Sequence, residues 1–225
     1  MPFAAALIDL DGTLLDTVPD LADAANAMLT DLGHATLPAD LIGTFIGKGT
    51  ENLVKRTLTH VHPNRTEPSA PDLAHALHIF HTHYEHFNGL RSTIYPGVVE
   101  GLKAFEAAGV KLGVVTNKPT VFTQALLQRT GLDAWFSVQV CGDTCERKKP
   151  DPMPFLHACS LLGVAPDQTL AIGDSVNDAL AARAAGLTVL AVPYGYNEGH
   201  SVHDLDVDGI VDTLLDAAAW SGQRA

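Results

Sequence analysis

Apolar and polar residues alternate in two different rhythms along this chain. Short apolar runs predict buried strands over residues 4–8, 110–117, 137–143, 169–174, 188–192 and 209–211. Helical patterns separate the later strands and cover residues 119–130, 152–162, 176–185 and a last stretch to residue 220. Strands that alternate with helices through short Gly and Pro connections predict a parallel sheet covered on both faces. We therefore expect an α/β fold with a doubly wound, Rossmann-like core.

Residues 16–90 interrupt this alternation with a purely helical pattern. The pattern predicts helices over residues 20–32, 39–46, 50–60 and 71–87. An insertion that leaves the sheet after its first strand lies beside the strand ends, where doubly wound sheets bind their ligands. We predict a catalytic core of residues 1–15 and 91–225, with a helical cap domain of residues 16–90 that acts as a lid.

Composition and charge narrow the possible functions. With 46% hydrophobic and 18% charged residues, the chain of 225 residues can bury a large core. The net charge of −12 argues against a nucleic-acid-binding surface, which would need a basic stripe. No apolar run reaches the ~18–20 residues of a membrane span, and the cysteines fit free thiols in a reducing compartment. We expect a cytoplasmic monomer or homodimer with no nucleic-acid or membrane partner.

Two carboxylates stand at the end of the first strand, within the stretch ALIDLDGTLLDT over residues 6–17. Asp9 and Asp11 are separated by one residue, so on an extended chain both side chains point to the same face, about 6–7 Å apart. Because like charges repel, such a pair is typical of a site that holds a positive charge. The pair is the first candidate for chemistry.

More polar side chains follow the other predicted strands. At the sheet edge that carries Asp9 and Asp11 we expect five of them: Thr116, Asn117, Lys149, Asp174 and Asp178. Carboxylates, a hydroxyl group and an ammonium group suit Mg²⁺ together with a phosphate. A helix cap or a turn remains an alternative for Thr116 or Asp178 taken alone.

Four stretches of the chain together resemble a known superfamily. DLDGTLLDT, VVTN, KKPDP and GDSVND are similar, in order and spacing, to the four motifs of the haloacid dehalogenase superfamily, and they span almost the whole chain. The helical insertion is similar to the cap that many members carry at the same place. Within the superfamily, TNKP at 116–119 and the segment 173–197, above all Gly195–Asn197, resemble the phosphoglycolate phosphatase family.

The resemblance implies a nucleophile and an acid. Asp9 is expected to attack phosphorus and form an aspartyl-phosphate. Asp11 is expected to protonate the leaving alkoxide and then to deprotonate the water that hydrolyses the intermediate. The substrate implied is a small phosphorylated metabolite.

The resemblance also implies a metal site and a phosphate site. Mg²⁺ would be held by Asp9, the backbone carbonyl of Asp11 and Asp174, with Asp178 in support through water or Lys149. Lys149, which directly precedes the proline of its motif, would stabilise the charge on nucleophile and phosphate, whereas Lys148 is expected in water. The remaining contacts to the phosphoryl oxygens are assigned to Thr116 and Asn117.

The implied reaction is hydrolysis of 2-phosphoglycolate to glycolate and phosphate. Alternatives on the same core are a phosphatase for a sugar phosphate, such as N-acetylmuramate 6-phosphate, and a phosphosugar mutase. Haloalkanoate dehalogenation does not need Asp11, and phosphonate cleavage uses a Schiff-base lysine, so both fit less well. A protein without catalytic activity is disfavoured because every expected catalytic position is filled.

Two segments of the cap carry weaker signals. In the turn FIGKGTENLVKR over residues 45–56, Lys48 or backbone N–H groups near Gly47 are candidates to bind a substrate carboxylate. The alternative is a plain turn with Lys48 in water. On the helix over residues 71–87, an apolar stripe that includes Phe80 and Tyr84 is expected to form the core of the cap.

Overall fold

The centre of the molecule is a parallel sheet, seen in a computed structural model that describes residues 3–223. Its strands are β1 (Ala5–Ile8), β4 (Lys111–Val115), β5 (Val138–Val140), β6 (Thr169–Gly173), β7 (Thr188–Ala191) and β8 (Gly209–Ile210). The order across the sheet is β5-β4-β1-β6-β7-β8, and all neighbouring strands are parallel. The predicted doubly wound α/β core is confirmed. The outermost predicted residues of that core, 1–2 and 224–225, lie outside the described part of the chain.

Helices cover both faces of the sheet and bury a separate core on each. One face is covered by α5 (Val98–Ala107), α6 (Thr120–Thr130) and α9 (Leu214–Gly222), and the other by α7 (Met153–Leu162) and α8 (Val176–Ala185). Strand β1 is buried on both sides, because Ala6 and Ile8 pack in the first core and Ala5 and Leu7 in the second. The end of β1 therefore emerges at the middle of the sheet, between helices of both layers.

Four helices follow β1 along the chain, before the next strand of the parallel sheet, and they share a hydrophobic core of their own. They are α1 (Val18–Asp31), α2 (Ala39–Gly43), α3 (Thr50–Val61) and α4 (Ala70–Phe87). Met28, Phe80 and Tyr84 are fully buried among them. Phe122 of α6 packs into the same cluster, so this helical unit rests directly on the sheet-bearing part of the chain.

The segments that lead into the helical unit and out of it lie side by side. A two-stranded antiparallel ribbon pairs β2 (Leu15–Asp16) with β3 (Thr93–Ile94). Just beyond it, the buried carboxylate of Asp20 accepts hydrogen bonds from the backbone N–H groups of Gly89, Arg91 and Ser92, at 2.8, 2.7 and 3.0 Å. These bonds fix the end of α4 against the start of α1.

The element boundaries differ from the predicted ones where the chain turns toward the site. The predicted strand 137–143 forms a ladder only as far as Val140, because β5 is the edge strand and Gly142 donates its N–H to the Lys118 carbonyl instead (2.8 Å). A Cβ at Gly142 would lie 2.2 Å from the Asn117 carbonyl oxygen, so only glycine fits this approach. In the part of the chain described, no helix is both long and apolar enough to span a membrane.

Candidate active site

The carboxylate of Asp9 meets a buried lysine directly behind the end of β1. Nζ of Lys149 lies 3.0 Å from Oδ1 of Asp9 and 2.6 Å from Oδ1 of Asp178, and its side chain is 2% exposed. Lys149 also donates to the Val115 carbonyl at 2.6 Å. We call Asp9, Lys149 and Asp178 the inner half of the site. All three side chains come from the sheet edge where the sequence predicted them.

Asp178 has two tasks at once. Ser175 and Asp178 form a capping box at the start of α8, in which Oδ2 of Asp178 accepts from the Ser175 hydroxyl at 2.6 Å and its backbone N–H at 3.2 Å. The other oxygen of Asp178 accepts from Lys149. The helix-cap alternative for Asp178 is therefore correct, but it does not replace the contact with the site.

Asp174 is held by a loop that closes around it. Its Oδ1 accepts from the Thr13 hydroxyl at 3.1 Å, and its Oδ2 accepts from the backbone N–H of Tyr196 at 2.7 Å. A Cβ at Gly195 would lie 2.2 Å from Oδ2 of Asp174, so this loop can approach only through glycine. The segment Gly195–Asn197, which the sequence singled out, thus orients a carboxylate of the site.

Three carboxylates converge in a way that fits a small cation. Ligand oxygens of Asp9, Asp174 and Asp178 all lie within 4.8 Å of one another. Oδ1 of Asp9 is buried and lies 3.0 Å from the Lys149 ammonium group, with no other hydrogen-bond partner among residues 3–223. Carboxylate oxygens in such a tight group match the preference of Mg²⁺.

Burial changes the protonation of these groups. Burial, opposed by Lys149, raises the pKa of Asp9 to about 8. Burial and the neighbouring Asp178 raise the pKa of Asp174 to about 7. For Lys149, burial acts in the opposite direction, but Asp178 and Asp9 outweigh it and hold the pKa above its ordinary value. Protons and a bound cation would therefore compete for the same carboxylates near neutral pH.

Thr116 and Asn117 follow β4 and are buried at the same edge. Both N–H donors of the Asn117 side chain and its oxygen form hydrogen bonds within the protein. The amide nitrogen donates to the carbonyls of Gly47 and Lys149 at 2.9 Å each, and the oxygen accepts from the Lys149 N–H at 3.0 Å. Asn117 therefore ties the turn around Gly47 to the loop that carries Lys149. The Thr116 hydroxyl accepts from the Lys118 N–H at 3.2 Å.

Asp11 meets a second buried lysine, which the sequence analysis did not assign. Nζ of Lys118 lies 2.9 Å from Oδ1 of Asp11 and 2.6 Å from the hydroxyl oxygen of Tyr84 on α4, and the lysine side chain is 1% exposed. The ammonium group also lies 4.8 Å from the centre of the Tyr84 ring. We call Asp11, Lys118 and Tyr84 the outer half of the site.

A cavity of about 30 Å³ lies where the two halves meet. Its polar lining from the sheet edge consists of Asp9, Asp11, Thr116, Asn117 and Lys118. The helical unit contributes Leu21, Ile46, Gly47, Gly49, Thr50 and Leu53. The cavity is therefore acidic on one side, apolar on the other, and covered by the inserted helices.

Lys48 points away from this cavity. Its ammonium group lies 2.7 Å from Oε1 of Glu198, in the loop after β7, and its side chain is 44% exposed. Glu198 also pairs with Arg56 of α3 at 2.9 Å. Gly47 and Gly49 line the cavity, so the turn itself lies where predicted, while binding of substrate by Lys48 stays a prediction.

Sequence reasoning missed Lys118 and Tyr84 for different reasons. Lys118 directly follows two predicted site residues at a strand end, and that position is a usable signal. Tyr84 belongs to the apolar stripe of α4, and its burial confirms the predicted role in the core of the helices. A tyrosine in such a stripe needs a partner for its hydroxyl group, which is the signal that was overlooked.

Comparisons with known proteins agree with this geometry. A protein-family model described as haloacid dehalogenase-like hydrolase matches residues 3–186. A phosphoglycolate phosphatase of Nitrosospira multiformis is 51% identical over 217 residues, which cover 96% of this chain and 95% of that protein. One of Cupriavidus necator is 45% identical over 95% of this chain and 91% of its own length.

A solved structure extends the likeness to three dimensions. The crystal structure of a protein from Haemophilus somnus, described as a predicted phosphoglycolate phosphatase, has a TM-score of 0.93 and 34% sequence identity over 98% of this chain and 99% of that one. The family model covers most of the chain, including every motif at the ends of β1, β4 and β6. This chain belongs to the haloacid dehalogenase-like hydrolases.

Proposed function

We propose that this protein is a Mg²⁺-dependent phosphomonoesterase that hydrolyses 2-phosphoglycolate to glycolate and phosphate through an aspartyl-phosphate. The observation that carries the proposal is the setting of Asp9. Its carboxylate lies 3.0 Å from the Lys149 ammonium group, converges with the carboxylates of Asp174 and Asp178, and lines a cavity that it shares with Asp11. Relatives that are named phosphoglycolate phosphatase and match nearly the full chain support this choice of substrate.

Asp9 acts as the nucleophile. Its carboxylate oxygen attacks phosphorus, and the bond from phosphorus to the ester oxygen breaks. Asp11, which must carry a proton at the start of this step, gives that proton to the leaving glycolate oxygen. In the second step Asp11 takes a proton from water, the water oxygen attacks phosphorus, and phosphate leaves Asp9. Both residues line the cavity, which supports this division of work.

Lys149, Thr116 and Asn117 serve the phosphoryl group. Lys149 offsets negative charge on Asp9 and on the phosphoryl oxygens, and its place between two carboxylates supports this role. The Thr116 hydroxyl binds a phosphoryl oxygen. Because the Asn117 side chain is already bonded to Gly47 and Lys149, Asn117 contributes mainly by positioning these two segments.

Mg²⁺ would be held by the carboxylates of Asp9 and Asp174 and by the backbone carbonyl of Asp11, with Asp178 acting through Lys149. When bound, Mg²⁺ supplies positive charge that offsets the repulsion between the carboxylates and the phosphoryl group. The convergence of three carboxylates within 4.8 Å supports this site. The side chain of Asp11 accepts a hydrogen bond from Lys118, so it is not one of the proposed metal ligands.

We further propose that residues 16–90 form a cap domain on a core of residues 1–15 and 91–225. Six residues of the helical unit line the cavity and support a role in enclosing the substrate. The three free cysteines suit a reducing compartment, and we propose that the protein works in the cytoplasm.

The proposal is tested by phosphate release from a panel of monoesters, with and without Mg²⁺. The panel contains 2-phosphoglycolate, 3-phosphoglycerate, hexose phosphates, N-acetylmuramate 6-phosphate and p-nitrophenyl phosphate, with Asp9→Asn as the blank. We expect 2-phosphoglycolate to lead in kcat/KM by tenfold or more, about 1.4 kcal/mol of transition-state binding. A leading sugar phosphate would contradict the substrate, and isomerisation of a sugar phosphate without phosphate release would indicate a mutase.

A further inference from the structure

The outer half of the site contains the ammonium group of Lys118, which has no role in the proposed reaction steps. Lys118 is buried beside Asp11 and Tyr84, and none of the steps above uses it. The Lys118 side chain is 1% exposed, and an ion pair is much stronger in such a buried place than in water.

The bonding of Lys118 leaves room for a further partner. An ammonium group has three N–H donors. Among residues 3–223, its partners are the carboxylate of Asp11, at 2.9 and 3.3 Å to the two oxygens, and the hydroxyl group of Tyr84 at 2.6 Å. The bond to Oδ2 of Asp11 is the longest of the three, at 3.3 Å, so its donor is the one that a ligand can take over. Lys118 itself lines the cavity, so a ligand there can meet this donor.

The cavity lining offers one cation to an anionic leaving group. Among the described residues that line the cavity, Lys118 alone is positively charged, and the exposed Lys148 has its ammonium group beside Gly49 of the lining. Lys149 lies between Asp9 and Asp178, on the phosphoryl side, and Lys48 is bonded to Glu198. The side contributed by the helices is made of leucine, isoleucine, glycine and one threonine. Lys118 is therefore the buried counter-ion that a substrate carboxylate would meet in the lining, and the exposed Lys148 is tested below as a control.

We propose that Lys118 binds the carboxylate of the substrate, so that it selects phosphate esters of 2-hydroxy acids. This inference rests on the proposed function and names the residue that recognises the carboxylate of 2-phosphoglycolate. In such an ester the carboxyl carbon is bonded to the carbon that carries the ester oxygen. The carboxylate therefore lies next to the oxygen that Asp11 protonates, and Lys118 is the neighbour of Asp11. An amide at this place still offers a carbonyl acceptor but no negative charge, so the buried ammonium group loses its ion pair with the substrate and the amide is disfavoured.

The test compares two substrates that differ only in this group. 2-Phosphoglycolate and the phosphate ester of glycolamide have the same size, but the amide has no charge. We expect the wild-type protein to prefer 2-phosphoglycolate by about tenfold or more in kcat/KM, and Lys118→Met to reduce this ratio to near one, mostly through KM. Lys118→Arg keeps a cation and should retain most of the preference.

Lys48→Met and Lys148→Met are the matched controls. Lys48 pairs with Glu198, and Lys148 is the exposed neighbour of Lys149. Both should leave the ratio between the two substrates unchanged. If Lys118→Met slows both substrates equally and keeps the ratio, Lys118 has only a structural role and the inference is overturned. A collapse of the ratio in Lys48→Met would assign the carboxylate to Lys48 instead and overturn it as well.

A binding experiment keeps the test open if Lys118→Met does not fold. In Asp9→Asn protein with ¹⁵N-labelled lysines, the Nζ signal of Lys118 is assigned through Lys118→Arg and followed during titration. We expect a large shift with 2-phosphoglycolate and a much smaller one with the amide; equal shifts would overturn the inference. If the wild-type protein itself shows no preference between the two esters, the proposed substrate fails together with the inference. A preference that survives in Lys118→Met leaves the proposed function standing.

Discussion

The two halves of the site are alike in chemistry and different in origin. Each has a buried lysine with a side chain at most 2% exposed, and each lysine holds a catalytic-site carboxylate at about 3 Å. In the inner half, Asp9 and Lys149 come from loops at the sheet edge and Asp178 from the first turn of α8. In the outer half Lys118 also depends on Tyr84, which α4 brings from the helical unit.

This difference indicates which half of the site can form without the helical unit of α1 to α4. The contacts of Lys149 with Asp9 and Asp178 need only the sheet and its loops. The contacts of Lys118 are complete only while α4 lies over the sheet edge. We therefore expect the inner half to carry the chemistry common to many substrates, and the outer half to link chemistry to the fit of one substrate.

The largest effect should come from the inner half. Asp9→Asn removes the nucleophile, and we expect phosphate release to fall by about 10⁴-fold or more, as for other residues that form covalent intermediates. The measurement is steady-state phosphate release at saturating Mg²⁺, with circular dichroism to show that the variant is folded. Activity within tenfold of wild type would contradict the nucleophilic role.

Lys149→Met should affect stability and catalysis together. The change leaves Asp9 and Asp178 buried without their cation, so we expect the free energy of unfolding to drop by about 3–5 kcal/mol. The loss of charge stabilisation should lower kcat by about 10²–10³-fold. Lys148→Met is the matched control, since Lys148 is exposed and adjacent in sequence, and should change neither quantity. Urea unfolding of the two variants side by side measures the difference, and equal stability would refute the buried ion pair.

The pH dependence of stability should reveal the raised carboxyl pKa values. In metal-free protein the raised pKa values keep protons on Asp9 up to about pH 8 and on Asp174 up to about pH 7, while the carboxyl groups of the unfolded chain lose them near the ordinary pKa of 3.8. The folded state thus binds more protons across this range, so the free energy of unfolding should fall as pH rises through it, by at most about 1.4 kcal/mol per pH unit and group.

Mg²⁺ should therefore raise the melting temperature more at pH 8 than at pH 6, because fewer protons must be displaced. Asp174→Asn should weaken both the pH dependence and the response to Mg²⁺. Scanning calorimetry with and without Mg²⁺ at the two pH values gives the comparison. A stabilisation by Mg²⁺ that is equal at both would argue against these carboxylates as its ligands.

A smaller effect is expected from the contribution of the helices to the outer half. Tyr84→Phe removes one hydrogen bond to Lys118 but keeps the ring and its packing against Phe80 and Phe122. We expect about 0.5–1.5 kcal/mol less stability and a loss of a few fold in kcat/KM for 2-phosphoglycolate. p-Nitrophenyl phosphate, which has no carboxylate, should lose less. An equal loss on both esters would mean that Tyr84 does not contribute to selectivity.

The smallest effect should come from the rim, the partly exposed ion pairs of Glu198 with Lys48 and Arg56. Glu198 joins Lys48 and Arg56 of the helical unit to the loop after β7, but Lys48 is 44% exposed and Arg56 32%. Such pairs contribute about 0–1 kcal/mol. A double-mutant cycle of Glu198→Gln with Lys48→Met should give a coupling in that range. A much larger coupling would make the rim, and not the outer half, the main link between the helices and the sheet.

Sequence reasoning predicted the fold well where the pattern is long and repeated. The alternation from residue 110 onward gave the sheet and its covering helices, because buried parallel strands and amphipathic helices have distinct periods. The ribbon of Leu15–Asp16 with Thr93–Ile94 was not predicted, since two-residue strands carry no period. Helix α5 was not named either, although its pattern is regular.

The candidate site was predictable as far as it is local. Asp9, Asp174 and Asp178 stand at strand or helix ends whose positions follow from the chain, and the structure brings them together. Tyr84 could not be placed in the same way, because its position beside Lys118 depends on how α4 packs 34 residues away in sequence. Lys48 was considered for the site, yet its ammonium group meets Glu198 from a distant loop.

The most direct test of this account is to trap the phosphorylated enzyme. Wild-type protein is mixed with ³²P-labelled 2-phosphoglycolate and Mg²⁺, quenched in acid within milliseconds, and digested for peptide mapping. We expect label that survives acid, is released by hydroxylamine, and lies in the peptide that contains Asp9, with none in Asp9→Asn. Turnover without such label, or label on another residue, would contradict the central role of Asp9.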